Sequence, residues 1–130
     1  MTVECDILSP CALGAVLNDD TIPRLRCQGI AGAANNQLAE PRHGQLLHQR
    51  GILFAPDFVA NAGGLIQVCD ELEGYNKNRA FRKTAMIYDR LLAIFTRAKE
   101  EGITPYEAAN RLVAARIETI GRIKRSYTGR

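Results

Sequence analysis

At 130 residues, 46% apolar and 24% charged, the chain has the composition of one ordinary soluble globular domain, whose single core takes roughly two-thirds of the unfolded surface out of water. Its 17 basic and 14 acidic residues are interspersed and leave a net charge of only +3, which argues against nucleic acid as a partner. No apolar run approaches a membrane span, and the opening Met1-Thr2-Val3-Glu4-Cys5-Asp6 lacks the basic and apolar regions of a signal peptide, so no membrane association and a cytoplasmic location are expected.

In chain order, three short β-like runs, Cys5 to Ser9, Gln28 to Gly32 and Ile52 to Pro56, alternate with stretches that read as helix, the pattern of parallel strands joined by crossovers. The polar cluster Asn18-Asp19-Asp20-Thr21 ahead of Ile22 and Leu25 predicts a short capped helix, and Arg42 to Arg50 predicts another that Gly51 stops. Each strand runs into a loop of small residues: Pro10-Cys11-Ala12-Leu13-Gly14, then Ala33-Ala34-Asn35-Asn36, then Asn61-Ala62-Gly63-Gly64. Loops at the carboxyl ends of parallel strands are where open α/β sheets bind ligands.

The last third changes character. Phe81, Ala85, Tyr88, Leu92 and Phe95 recur at helical spacing beside a second stripe of Ile87, Leu91, Ile94 and Ala98, which predicts a long helix with a wide apolar face. Gly102 ends it. Thr104-Pro105-Tyr106-Glu107 then reads as a capping box that opens a final helix carrying Ala109, Leu112, Val113, Ile117 and Ile120, so two antiparallel helices close the chain. The basic Arg122, Lys124, Arg125 and Arg130 suit a helix carboxyl end and tail. Cys5, Cys11, Cys27 and Cys69 form no C-x-x-C pair and have no histidine at ligand spacing, so they are expected to be buried free thiols, and no metal site is expected. His43 and His48, five positions apart, do not share a helical face and read as ordinary helix residues.

Small residues at a strand end let a flat polar ligand lie against the backbone, and asparagine amides offer both a donor and an acceptor. Taken one at a time, the same loops also read as plain turns and caps. Their wording together is more specific. Ser9-Pro10-Cys11-Ala12-Leu13-Gly14, Ile30-Ala31-Gly32-Ala33-Ala34-Asn35-Asn36-Gln37-Leu38, Ala55-Pro56-Asp57-Phe58-Val59-Ala60-Asn61-Ala62-Gly63-Gly64 and Asp70-Glu71-Leu72-Glu73-Gly74-Tyr75-Asn76 follow one another along the chain. In that order and spacing they resemble the glutamate/leucine/phenylalanine/valine dehydrogenase family, nearest its leucine, valine and phenylalanine branch, and specifically the family's carboxyl-terminal portion. The resemblance covers essentially all of the chain.

The resemblance implies an α/β fold: the second half of a Rossmann-like NAD-binding domain, with about three parallel strands and crossover helices over residues 1–75, followed by two carboxyl-terminal helices over 76–130 that pack on the same core. It implies that Cys11, Ala12 and Leu13 line the ribose and ring on the nicotinamide side. Asn35 and Asn61 would face the nicotinamide of NAD, Asn36 would hold the substrate, and Gly63 and Gly64 would let the ring approach the next helix. Leu65 and Val68 match positions that shape the amino-acid side-chain pocket, and their separation of three places both on one helical face. Both are apolar, which disfavours glutamate, whose carboxylate would lack a buried partner, and favours a branched-chain or aromatic L-amino acid converted to its 2-oxo acid.

Oxidative deamination needs a general base and cations that grip the α-carboxylate. In the family these are lysines and an aspartate of an amino-terminal domain, and no segment here resembles it: Lys77, Lys83, Lys99 and Lys124 all lie in the helical third or the tail. None of the 11 glycines forms the G-x-G of a G-x-G-x-x-G pyrophosphate turn. The expectation is therefore that no catalytic residue lies on this chain, and that alone it is inactive and binds NAD weakly or not at all. Its partners would be the missing amino-terminal catalytic and glycine-fingerprint region and, once complete, further copies of itself in a homo-oligomer. The alternative is a non-catalytic remnant, an interaction module that pairs with a full-length relative through an open sheet edge or the final helices.

Overall fold

The computed structural model describes residues 3–126, with side chains described as far as residue 122. Met1, Thr2 and the cationic side chains expected at Lys124, Arg125 and Arg130 lie outside the described residues. Three strands, β1 (Ile7–Leu8), β2 (Gly29–Ile30) and β3 (Leu53–Phe54), form one parallel sheet in the order β1-β2-β3. Ile7 stands level with Gly29 and Leu53, and Leu8 with Ile30 and Phe54. The fold is α/β, as the alternation of β-like and helical runs predicts. A 3-10 turn, Ile22–Arg24, lies between β1 and β2, and helix α1 (Arg42–Gln49) between β2 and β3; α2 (Asp57–Ala60), α3 (Gly63–Leu72), α4 (Lys77–Glu101) and α5 (Pro105–Ser126) follow.

Strand residues alternate between the two faces of a sheet, so Leu8, Ile30 and Phe54 share one face. That face is closed by Leu17, Ile22, Leu25, Leu47 and Ile52, with Leu17 and Leu47 at 0% exposure. Full burial of such a side chain contributes roughly 1.5–3 kcal/mol. The opposite face is open, with Ile7 65% and Leu53 49% exposed.

The capped helix expected at Asn18 is instead a single 3-10 turn. The Asn18 side chain accepts from the backbone N–H groups of Asp20 and Thr21, and the Thr21 hydroxyl donates to the Val16 carbonyl at 2.6 Å, so the polar cluster builds a turn of its own. Leu25 then leaves in extended conformation. Helix α1 starts where expected and gives way to Gly51 at φ +70°. His43 is no ordinary helix residue: it is buried, its Nδ1 accepts from the Glu40 N–H at 2.9 Å, and its Nε2 lies 3.3 Å from Asp19. His48 is exposed on the same helix. The cysteines are free but not buried as expected, Cys11 and Cys69 being exposed and Cys5 and Cys27 half-buried.

Gly102, at φ +65°, ends α4, and the Thr104 hydroxyl accepts from the Glu107 N–H at 3.1 Å. Only half of the capping box forms, because the Glu107 carboxylate turns to Arg111. Ile94 and Ala98 pack on Ala108 and Ala109, with Val59, Ile103 and Leu112 around them. The second predicted stripe of α4 is thus the packed one. Phe81, Ala85, Tyr88 and Leu92 are exposed, as are Val113, Ile117 and Ile120 of α5, because a pair of helices covers only one stripe of each. Among the described residues no helix is long and apolar enough to cross a membrane, and no cluster of metal-ligating side chains occurs.

The α3–α4 corner turns on one carboxylate. Asp70, at 0% exposure, accepts from the Asn76 N–H at 2.8 Å, from Arg79 and from the Lys83 ammonium at 3.4 Å, while Asn76 caps α4 through the Arg79 N–H. The Arg79 guanidinium, followed by the Asn76 N–H, holds the Asp70 carboxyl at about 2. An unfolded aspartate titrates near 4. The stability this group contributes is therefore present above pH of about 4 and is lost as pH falls toward about 2. The Asp70→Asn chain should be less stable at neutral pH and show a shallower loss of stability across that acid window, as read by urea midpoints at a series of pH values.

Candidate functional site at the strand carboxyl ends

Parallel pairing turns the carboxyl ends of all three strands toward the same side, and the loops that leave them interlock. Between the first two loops the backbones touch: the Ala34 N–H donates to the Pro10 carbonyl at 2.9 Å, and a Cβ at Gly32 would lie 2.1 Å from that oxygen. No side chain fits there. Further on, the Ala15 N–H donates to the Asn36 carbonyl at 2.7 Å, and a Cβ on Gly14 would come within 2.9 Å of the Asn35 carbonyl. Ala15 (φ +56°) and Asn36 (φ +51°) both occupy the left-handed region. Asparagine tolerates that conformation better than alanine, and two such residues facing each other mark a crossing held by its surroundings.

The third loop reaches the second through side chains. Asn61, at the carboxyl end of α2, donates its amide to the Asn35 side-chain oxygen at 2.6 Å. Below them Gln37 is fully buried and donates to the Gly32 and Ala34 carbonyls at 2.9 and 3.0 Å, while its own N–H lies 3.3 Å from the carboxylate of buried Asp57. Gln37 and Asp57 thus pin the floor of the site. Sequence reading had assigned them no role; a glutamine ending a loop of small residues and an acid in the first turn of α2 were the signals present.

The expected site residues divide into three groups. Asn35 and Asn61 are in direct contact. Cys11, Ala12 and Leu13 sit exposed on the first loop, Leu13 at 75%, with the Cys11 sulfur 3.3 Å from the Ser9 hydroxyl. That hydroxyl, helped by the backbone of Ala33, pulls the Cys11 thiol below its ordinary value. Asn36 is exposed at the crossing with Gly14. The rest opens α3: Gly63 lies against Thr84 of α4, a Cβ on Gly64 would meet open space, and Leu65 and Val68 are 68% and 57% exposed. Leu65 and Val68 are therefore not core residues.

Three parallel strands with converging carboxyl-end loops define an open α/β domain. The chain belongs to the Glutamate/Leucine/Phenylalanine/Valine dehydrogenase family, which matches residues 1–129. It is 54% identical over 125 residues to a leucine dehydrogenase of Thermoactinomyces intermedius, covering 96% of this chain and 34% of that protein. It is 58% identical over 122 residues to a phenylalanine dehydrogenase of the same organism, covering 94% and 33%. The crystal structure of L-tryptophan dehydrogenase from Nostoc punctiforme superposes with a TM-score of 0.88 at 52% identity, over 93% of this chain and 37% of that one. The chain spans about a third of the length of the curated relatives it matches.

Two glycine substitutions separate the interlocked part of the site from its open part. Gly32→Ala should cost about 1–3 kcal/mol or more, because backbone rather than a movable side chain meets the new methyl group. Gly64→Ala, in a helix with open space, should change stability by less than about 1 kcal/mol and in the stabilising direction. Denaturant midpoints of the two variants check the ordering.

Proposed function

We propose that this chain supplies the nicotinamide-facing half of the active site of an NAD-dependent L-amino-acid dehydrogenase that oxidatively deaminates an apolar amino acid to its 2-oxo acid in the cytoplasm. The observation that carries the reading is the Asn35–Asn61 amide contact across two strand-end loops, beside the exposed apolar pair Leu65 and Val68 at the start of α3. The cradle suits the nicotinamide half of the cofactor: two amides are presented at its rim, small residues leave the backbone approachable, and the space over Gly64 is open. Held there by Asn35 and Asn61, NAD would supply a hydride acceptor for the substrate α-carbon.

In this reading Asn35 and Asn61 hold the carboxamide and so fix which face of the ring is presented, while Cys11, Ala12 and Leu13 border the ribose and ring. Asn36 orients the substrate, and Leu65 and Val68 form one wall of its side-chain pocket. An apolar wall gives a glutamate carboxylate no partner, and an unpaired buried charge is strongly disfavoured. The general base, the cations for the α-carboxylate and the pyrophosphate turn belong to the part of the family's length that this chain does not span. Alone the chain is inactive and holds NAD weakly or not at all, and the complete protein is a homo-oligomer. The open sheet face at Ile7 and Leu53, together with the exposed Phe81, Tyr88 and Leu92, favours one second reading, a non-catalytic module that docks on a full-length relative.

Joining this chain to the amino-terminal two-thirds of a leucine dehydrogenase relative distinguishes the two. The expected result is NADH formation dependent on leucine, valine or phenylalanine, and absence of turnover with all apolar amino acids in a folded chimera would sink the enzymatic reading. In the active chimera, Leu65→Ala and Val68→Ala should each raise KM for the apolar amino acid about 10-fold or more with little change in KM for NAD. By titration calorimetry the unjoined chain should give no tight, stoichiometric NAD binding.

A further inference from the structure

The opposite end of the sheet carries chemistry that the proposed function does not use. Glu4 pairs with Arg26 in a parallel bridge, and the same register continues to Ile7 and Gly29, which brings Cys5 level with Cys27 on the neighbouring segment. The Cys5 N–H donates to the Arg26 carbonyl at 3.0 Å, so the two segments are in hydrogen-bond contact at this point. Adjacent strands run about 4.8 Å apart, inside the range of about 4.4–6.8 Å that Cα atoms joined by a disulfide span. Both thiols are free and half-buried, and both line a hollow of about 780 Å³ at the amino ends of the strands, which gives a small reagent access. Arg50 lines the same hollow, its guanidinium fixed by hydrogen bonds to the Ile22 and Leu25 carbonyls, and presents a positive charge there.

We propose that Cys5 and Cys27 form an oxidisable dithiol that closes to an intramolecular disulfide on reaction with a low-molecular-weight disulfide of the glutathione type. The Cys5 thiolate attacks one sulfur of the reagent, whose S–S bond breaks and releases one small thiol. The Cys27 thiolate then attacks the Cys5 sulfur of the mixed disulfide and releases the second. Two protein thiols are oxidised, one reagent disulfide is reduced to two small thiols, and the two protons pass to those leaving groups. Burial, and then the neighbouring Cys5, push the Cys27 thiol up, which suits it to the second, intramolecular step, where proximity replaces a high thiolate fraction. The same exchange run backwards by excess small thiol reopens the link, so the pair works reversibly.

The test uses the 130-residue chain carrying Cys11→Ser, so that trypsin leaves Cys5 as the one cysteine of peptide 1–24 and Cys27 as the one cysteine of peptide 27–42. After oxidised glutathione and thiol blocking, mass spectrometry should show these two peptides joined with the loss of two hydrogens. Non-reducing electrophoresis should show a monomer, and dithiothreitol should reverse the change. Cys5→Ser or Cys27→Ser should abolish the link, with circular dichroism confirming retained helix, or Cys→Ala taking the place of any variant that loses it. In urea the preference should disappear as Cys69 enters the cross-links. Persistent glutathione adducts on Cys5 and Cys27 without a joined peptide, an intermolecular product, or the same cross-link pattern in urea as in buffer would each overturn the proposal.

Discussion

Parallel pairing is the constraint on which the molecule rests. Strands that run the same way need a crossover between each pair, and they deliver every departing loop to the same side of the sheet. With only two residues in each strand, ladder hydrogen bonds alone hold little, so the register is fixed by what packs beneath it. Leu8, Ile30 and Phe54 can meet Leu17, Leu25 and Leu47 in only one alignment, since a slip of one residue would turn Ile7, Gly29 and Leu53 inward. The loop convergence then follows from the core. Pro10 approaches Gly32, and Gly14 approaches Asn35, because the strands before them are held level.

The same geometry explains why polar groups are buried where they are. Backbone in tight loops cannot satisfy all its own carbonyls, and a buried unpaired one is costly. Gln37 answers this for Gly32 and Ala34, and Asp57 answers for the Gln37 N–H. At the other corner Asp70 does the equivalent work for the turn into α4, but there with a guanidinium and an ammonium alongside. The first corner is held by amide hydrogen bonds and one carboxylate that accepts from backbone, while at the second a carboxylate is ion-paired with two cations. The two corners bracket α3, the helix that carries Leu65 and Val68.

Much of this was legible in the sequence. β-like runs bounded by turn residues located all three strands, and Gly51 and Gly102 ended their helices as their left-handed backbone requires. What periodicity could not supply was which stripe of α4 would be covered. Both stripes have helical spacing, and the choice belongs to the partner surface, here Ala108 and Ala109, whose small side chains admit Ile94 and Ala98 closely. Nor could composition separate a cap from a turn at Asn18, since one asparagine side chain serves either, and the nearby hydroxyl of Thr21 decides it. The candidate site was legible through the wording of its loops rather than through any chemistry visible in single residues. Its buried anchors, Gln37 and Asp57, were missed because a polar residue that satisfies backbone leaves no periodic trace.

The two ends of the sheet are joined by β1. Cys5 lies two residues before its start and Cys11 on the loop just beyond its end, so a link between the segments that precede β1 and β2 adjoins the element that leads into the first loop. The connection is short and runs through Leu8, packed against the core, and Pro10, whose carbonyl holds Ala34. Closely packed interiors pass small displacements on rather than absorbing them. The thiol pair and the loop interlock of Pro10 with Gly32 therefore lie at opposite ends of the same two neighbouring strands, β1 and β2.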